Sequence, residues 1–275
     1  MTAEAWLKAT SKKLNDAGVG TAQLDSLVLL EDESGKDRGW LLAHPEFTLQ
    51  GPSLQKLNTK VMRRTEHEPL AYIRGFTEFY GRRFIVSQSV LEPRPESEAM
   101  IDLLKELVPR LTKNPVVIDI GTGSGALGIT AKLELPATEV IATDIDPNCV
   151  KIARQNAEHL GTKLDFIEGD LLEPIVNLDS NASRLIYLAN LPYVPTDWQV
   201  NSSAALEPQI ALYGGVDGLD VYRRLFKQID KQKKRPKFVL TESMPPQHQT
   251  LAEIASQSGY SLTKTQDFIQ LYEIN

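Results

Sequence analysis

Five short apolar runs, at residues 116–120 (VVIDI), 140–143, 164–167, 185–189 (LIYLA) and 238–240, leave few folds open to this chain. None is joined to the next by a two-residue turn. Each runs into glycine, aspartate, asparagine or glutamate, and helix-period segments at 126–133, from Pro147, and at 219–229 lie between them. Continuous apolar runs alternating with helices define a parallel sheet buried on both faces, wound in two directions. Past a helix around residues 251–255 and Gly259, the tail SLTKTQDFIQLYEIN holds two further strand-like runs, read as an antiparallel hairpin at the sheet edge. The expectation is an α/β fold built on a seven-stranded doubly wound sheet.

In such sheets ligands sit beyond the carboxyl ends of the strands, so the chemistry is sought there. The first strand runs into Gly121-Thr122-Gly123-Ser124-Gly125, where glycines let the backbone approach a ligand and a helix N-terminus offers free N–H groups. The second ends at Asp144, 23 residues after Gly121, placed to accept from ribose hydroxyls. The third ends in Asp170-Leu171, which suit an adenine amine and its ring face; either aspartate is equally suited to capping the helix after it. Read as G-x-G-x-x-A the glycine loop also fits a nicotinamide or flavin enzyme. The fourth strand weighs against that. It stops in Asn190-Leu191-Pro192-Tyr193, an amide with one acceptor and two donors, a stiffening proline and an aromatic face. These are parts for gripping a planar –NH2, a carboxamide or an aminated base. Next to a nucleoside-type pocket they suit methyl transfer from S-adenosyl-L-methionine to nitrogen.

Residues 1–68 read as a small helical bundle, with Trp6, Leu7, Leu14 and Ala17, then Leu24, Leu27, Val28 and Leu30, then Leu54, Leu57, Val61 and Met62 at helical spacing. Residues 69–95 form a connector, with Phe79-Tyr80 facing Phe84-Ile85-Val86 across Gly81 as a hairpin and a stiff Pro93-Arg94-Pro95. The catalytic domain is expected over 96–275. His44 and His67 have no Cys or His at ligand spacing, so no metal is expected. A net charge of −6 argues against a nucleic-acid substrate. The basic run Lys231-Gln232-Lys233-Lys234-Arg235-Pro236-Lys237 is read first as a solvated helix end and second as an RNA contact. One cysteine (Cys149), no secretory leader and no membrane-length apolar run point to the cytoplasm.

Several stretches together resemble the HemK/PrmC family, the glutamine N5-methyltransferases of peptide chain release factors. They are Glu68-Pro69-Leu70-Ala71-Tyr72-Ile73-Arg74-Gly75, Phe79-Tyr80-Gly81 and Pro93-Arg94-Pro95-Glu96-Ser97-Glu98, then the glycine loop from Asp119 to Ala126. Glu207-Pro208, Gly214-Gly215-Val216-Asp217-Gly218-Leu219-Asp220 and Tyr222-Arg223 complete the set. The resemblance spans nearly the whole chain. It implies a Rossmann-like class I methyltransferase domain, an N-terminal helical domain that docks the protein substrate, and S-adenosyl-L-methionine held by residues 121–125, Asp144, Leu171 and Asn190. It implies that Asn190, Leu191, Pro192 and Tyr193 hold the glutamine of a release factor's Gly-Gly-Gln loop. A monomer is expected. Two departures stand out. Leu191 replaces the family's proline, which predicts a looser loop. Glu242-Ser243-Met244 and 267–270 differ from the family's Glu-Ile-Gly and Asp-Leu-x-Gly and are expected to lie away from the site. The rivals are a ribosomal-protein glutamine methyltransferase, a nucleic-acid adenine N6-methyltransferase and a non-catalytic binding module.

Overall fold

The computed structural model describes residues 1–111, 115–176 and 184–275. They divide into two compact units, Met1–Phe76 with Val200–Leu206, and Thr77–Gln199 with Glu207–Asn275.

The first unit is helical: α1 (Ala3–Asp16), α2 (Ala22–Ser34), α3 (Arg38–Ala43), α4 (Gly51–Thr65) and α5 (Leu70–Arg74). Thr2 caps α1 by accepting from the Ala5 N–H, and Asp37 caps α3 through the Trp40 N–H. Trp6, Leu14, Leu29, Leu30, Leu41, Leu57 and Val61 make the core. The face that α2 buries is not the one its leucines suggest. Leu24 is exposed, whereas Asp25 and Ser26 are buried because Arg64 of α4 pairs with Asp25 at 2.7 Å inside the bundle. Met62 likewise lies on the exposed side of α4. The short α5 falls within the stretch read as connector, started by Pro69 and ended by Gly75 in the left-handed conformation.

β1 (Phe76–Phe79) and β2 (Arg82–Ile85) form the expected hairpin, with the Phe79 and Phe84 rings edge to face at 6.0 Å. Then come α6 (Glu98–Leu107), β3 (Val116–Ile120), α7 (Ala126–Glu134), β4 (Glu139–Asp144), α8 (Pro147–His159), β5 (Asp165–Glu168) and β6 (Leu185–Ala189). The chain continues through α9 (Gln209–Leu212), α10 (Asp220–Lys231), β7 (Phe238–Glu242), α11 (His248–Gln257), β8 (Tyr260–Gln266) and β9 (Ile269–Ile274). The seven-stranded sheet has the order β5-β4-β3-β6-β7-β9-β8, parallel from β5 to β7 with β9 antiparallel to both its neighbours.

Alternation along the strands sorts residues onto two covered faces. Val117, Val140, Ala142, Ile186 and Leu188 meet α6, α7 and α8; Ile118, Ile120, Ile141, Tyr187 and Val239 meet α10 and α11. Burial on both sides is why β3, β6 and β7 are buried at every position. From β3 the chain winds outward through β4 and β5, then returns to β6 on the other side. The switch point is therefore the gap between the ends of β3 and β6, where the glycine loop and Asn190 emerge. Lys231 closes α10, Arg235 bonds the Ser258 carbonyl and Lys237 pairs with Glu273, so those members of the basic run serve the fold. Among the described residues no helix is long and apolar enough to cross a membrane.

Candidate active site

Beyond β3 the backbone turns sharply, with Gly121, Gly123 and Gly125 at φ +70°, +55° and +84°. The N–H groups of Gly121 and Thr122 both donate to the Thr143 carbonyl at 2.9 Å, tying the loop to β4. Asp119 anchors it from below: one carboxylate oxygen accepts from the Thr122 hydroxyl (2.5 Å) and the Gly128 N–H (2.8 Å), while Oδ1 is buried with no partner. Burial raises this carboxyl to about 6. A side chain on Gly125 would strike Ile129 and Ala153, so this glycine lets α7 pack against α8. Ser124 is buried, and its carbonyl accepts from Asn156.

Asp144 does not cap α8; Asp146 does, through the Asn148 N–H. Asp144 instead accepts from Gly123 N–H at 2.8 Å and Asp146 N–H at 2.9 Å, one on each oxygen, which fixes its orientation at the cleft wall. Its carboxyl is raised, chiefly by burial. Asp170 is drawn into an ion pair with Arg224 of α10. Leu171 is buried in left-handed backbone at φ +51°, and its carbonyl accepts from Thr143 Oγ1 at 2.9 Å. A cleft enclosing about 860 Å³, its mouth included, is lined by Gly121, Gly123, Asp144, Asp170, Leu171, Asn190, Leu191 and Pro192. Thr122, Ser124, Gly125 and Tyr193 support it from outside the lining. The lining also takes in Ser89, Leu91, Ile145, Cys149 of α8, Pro208, and Ile210 of α9.

The residues that hold Asn190 come from distant parts of the chain. Its amide nitrogen donates to Ser97 Oγ at 2.9 Å, and the Ser97 hydroxyl donates to Glu242 Oε2 at 2.6 Å. Tyr193 donates its phenol to Glu242 Oε1 at 3.1 Å. Glu242 is fully buried at the end of β7, and burial raises its carboxyl to about 7. The same enclosure beside Glu242 pushes the Tyr193 phenol up. Glu242 thus lies under the Asn190 loop, contrary to the expectation that the 242–244 departure falls away from the site. Strand pairing explains it: β7 is next to β6, so their ends are adjacent. The 267–270 departure adjoins it too, because Ile269 is the register partner of Glu242.

Leu191 also departs from expectation. Its side chain is buried, close to Gly121, and its N–H donates to the Tyr222 hydroxyl at 3.2 Å, a bond proline could not make. Tyr222 in turn reaches the Ala189 and Glu242 carbonyls, so one buried phenol pins the ends of both strands. The loop is anchored rather than loosened. The 213–220 loop backs it: a side chain on Gly214 would lie 2.3 Å from the Pro192 carbonyl, and one on Gly218 2.1 Å from the Tyr193 carbonyl. Gln247 donates to the Tyr193 carbonyl at 2.7 Å.

A parallel sheet with a glycine loop and an acidic strand end at its switch point, closed by an antiparallel terminal hairpin, is the architecture of Rossmann-like methyltransferases. A methyltransferase from Pyrococcus furiosus has the same fold, with a TM-score of 0.51 at 15% identity over 82% of this chain and 98% of that one. The PrmC N-terminal domain family matches residues 5–75, and the ribosomal protein L11 methyltransferase (PrmA) family matches residues 98–179. The release factor glutamine methyltransferase of Koribacter versatilis is 35% identical over 83% of this chain and 81% of its own length. That of Bacillus subtilis is 35% identical over 86% and 83%. The chain belongs to the release factor glutamine methyltransferase family.

Proposed function

We propose that this enzyme transfers a methyl group from S-adenosyl-L-methionine to the side-chain amide nitrogen of a glutamine in a peptide chain release factor, in its Gly-Gly-Gln loop. The observation that carries the reading is the orientation of Asn190. With its NH2 engaged by Ser97, itself held by Glu242, the side chain offers Oδ1 as its acceptor end on the cleft it lines.

The cleft fits the cofactor by its donor set. Asp144 keeps lone pairs free for ribose hydroxyls after accepting two backbone N–H groups. Gly121 and Gly123 keep the cleft wall bare backbone, Leu171 gives an apolar surface for a base, and Asp170 stands beside it. Residues 121–125 would follow the methionine portion. Bound S-adenosyl-L-methionine supplies an electrophilic methyl on a sulfonium.

An amide nitrogen is a weak nucleophile, so the protein's task is alignment. Asn190 Oδ1 and the Leu191 carbonyl accept the two N–H bonds of the glutamine amide and aim its lone pair at the methyl. Both acceptors stabilise the positive charge that develops on nitrogen. The bound cofactor would give up its methyl and keep the S–C electron pair on sulfur, and the methylated glutamine nitrogen would shed its proton to water. Alignment of this kind supplies up to ~7–11 kcal/mol. Tyr193, fixed through Glu242, walls the glutamine side chain, and the N-terminal helices over residues 1–68 dock the rest of the substrate.

The test is mass spectrometry of a purified release factor incubated with the enzyme and S-adenosyl-L-methionine. The expected product is one added methyl on the Gly-Gly-Gln glutamine. Asn190→Ala is expected to lower turnover far more than it weakens cofactor binding by calorimetry. Turnover within about threefold of wild type would remove Asn190 from this role.

A further inference from the structure

Building on this role for Asn190, we infer that Ser97 and Glu242 are positioning residues that set which end of the Asn190 amide faces the substrate, and that the acceptor end is presented only while Glu242 is ionised. An asparagine amide is nearly symmetric in shape, and only its hydrogen bonds decide which atom points where. Here the decision comes from a directed chain. Glu242 as a carboxylate is acceptor-only, so the Ser97 hydroxyl must donate to it at 2.6 Å. Ser97 then has only lone pairs to offer Asn190, which turns its NH2 toward Ser97 at 2.9 Å. With the NH2 held this way, Oδ1 is the end left for a substrate N–H, and the buried negative charge polarises the amide and strengthens that acceptor.

Protonating Glu242 removes the charge that enforces the direction. A neutral carboxyl is itself a donor, so the Ser97 hydroxyl is free to turn and donate to an Asn190 oxygen swung inward. The NH2 would then meet the substrate NH2, donor against donor. Glu242 is placed for such a change within the ordinary pH range. It is fully buried, accepts from Ser97 and Tyr193, and has Glu96 as a like charge nearby, and its carboxyl is raised to about 7. The other polar groups around it are the buried Tyr222 phenol from α10, Arg94 acting through Tyr193, and His248, whose ring meets the carbonyl of Ser243 next door. None of these makes an ion pair with Glu242 among the described residues, so ionisation rests on the Ser97 and Tyr193 hydroxyl donors.

The experiment is the single-turnover rate of methyl transfer to a purified release factor between pH 6 and 9, with S-adenosyl-L-methionine affinity measured by calorimetry on each variant. The wild-type rate is expected to rise with pH to a plateau with an inflection near 7, falling about tenfold per unit well below it. Glu242→Gln holds the neutral form at every pH. It is expected to be at least about tenfold slower at pH 8 and to lose the inflection, whereas an inflection belonging to Asp119 or Asp144 would persist. Ser97→Ala should act in the same way and Ser97→Thr should restore both rate and inflection, with cofactor affinity within about threefold throughout. A wild-type rate flat from pH 6 to 9 overturns the inference, and that result does not depend on any variant folding. So does a Glu242→Gln or Ser97→Ala enzyme matching wild type at pH 8. If Asn190→Ala is inactive while those variants match wild type, only this inference fails; if Asn190→Ala is fully active, the reading of Asn190 fails and takes this inference with it.

Discussion

Gly214→Ala tests how tightly the Asn190 loop is held. The residue lies behind Pro192, and a Cβ there would sit 2.2 Å from the Gly218 carbonyl oxygen and 2.3 Å from that of Pro192. Ordinary contact begins at 3.4 Å, so both backbone segments must draw back from it by about 1 Å. Neither is free to do so. Gly214 N–H donates to the Val194 carbonyl at 2.9 Å, Asp220 N–H to the Gly214 carbonyl at 2.8 Å and Thr196 N–H to the Gly215 carbonyl at 2.9 Å. Breaking two such bonds costs about 2 kcal/mol and overpacking a further ~1–3 kcal/mol, so a loss of roughly 3–5 kcal/mol in stability is expected if the loops part. If instead the strain moves Pro192, the shift reaches Leu191 and Asn190, and displacement of about 1 Å costs on the order of a hundredfold in rate. Urea denaturation and single-turnover methylation together distinguish these routes, and cofactor affinity should stay within about threefold on either. A variant with wild-type stability and rate would refute the claim that the two loops are locked backbone to backbone.

Leu191→Pro, which installs the residue usual in the family, is expected to destabilise this chain by about 1–3 kcal/mol in urea, because it removes the N–H held by Tyr222 and a buried leucine side chain. Equal or greater stability would show that neither contact anchors the loop. Asp119 has a folded-state carboxyl raised from 3.8 to about 6, so its favourable contribution is complete below the unfolded value and is lost as pH rises through about 6. Roughly two units correspond to about 3 kcal/mol, so Asp119→Asn should be less sensitive to pH than wild type by about that amount across that window. Parallel pH–stability curves for the two proteins would contradict the assignment.

Strands β3 and β6 were legible to the residue because full burial on two faces leaves an unbroken apolar run whose ends are polar. The same rule located the glycine loop, Asp144 and Asn190, since each sits where such a run stops. What it could not give is pairing between runs. Ser97 and Glu242 are 145 positions apart and meet only because β7 lies beside β6 and the turn before α6 passes over them. Tyr222 reads locally as one more apolar position of α10, and nothing in its neighbours tells that its hydroxyl serves Leu191. Asp25 was hidden in the opposite way: a charge in a helical stripe reads as solvent-facing, and its partner Arg64 is two helices further on. Asp170 was legible as a strand end, but its ion pair with Arg224 was not.

The position of β9 has a consequence for the order in which the sheet assembles. It lies between β7 and β8 although it follows both in the chain, and among the described strands β8 pairs with β9 alone. β8 therefore has no place in the sheet until the β9 arm of the hairpin has docked on β7. Its docking completes the flank of β7, at whose end Glu242 pairs with Ile269. The edge of the sheet and the flank of Glu242 are thus finished together, by a pairing that spans less chain than the β3–β6 and β6–β7 pairings at the sheet's centre and so closes at a lower entropic cost.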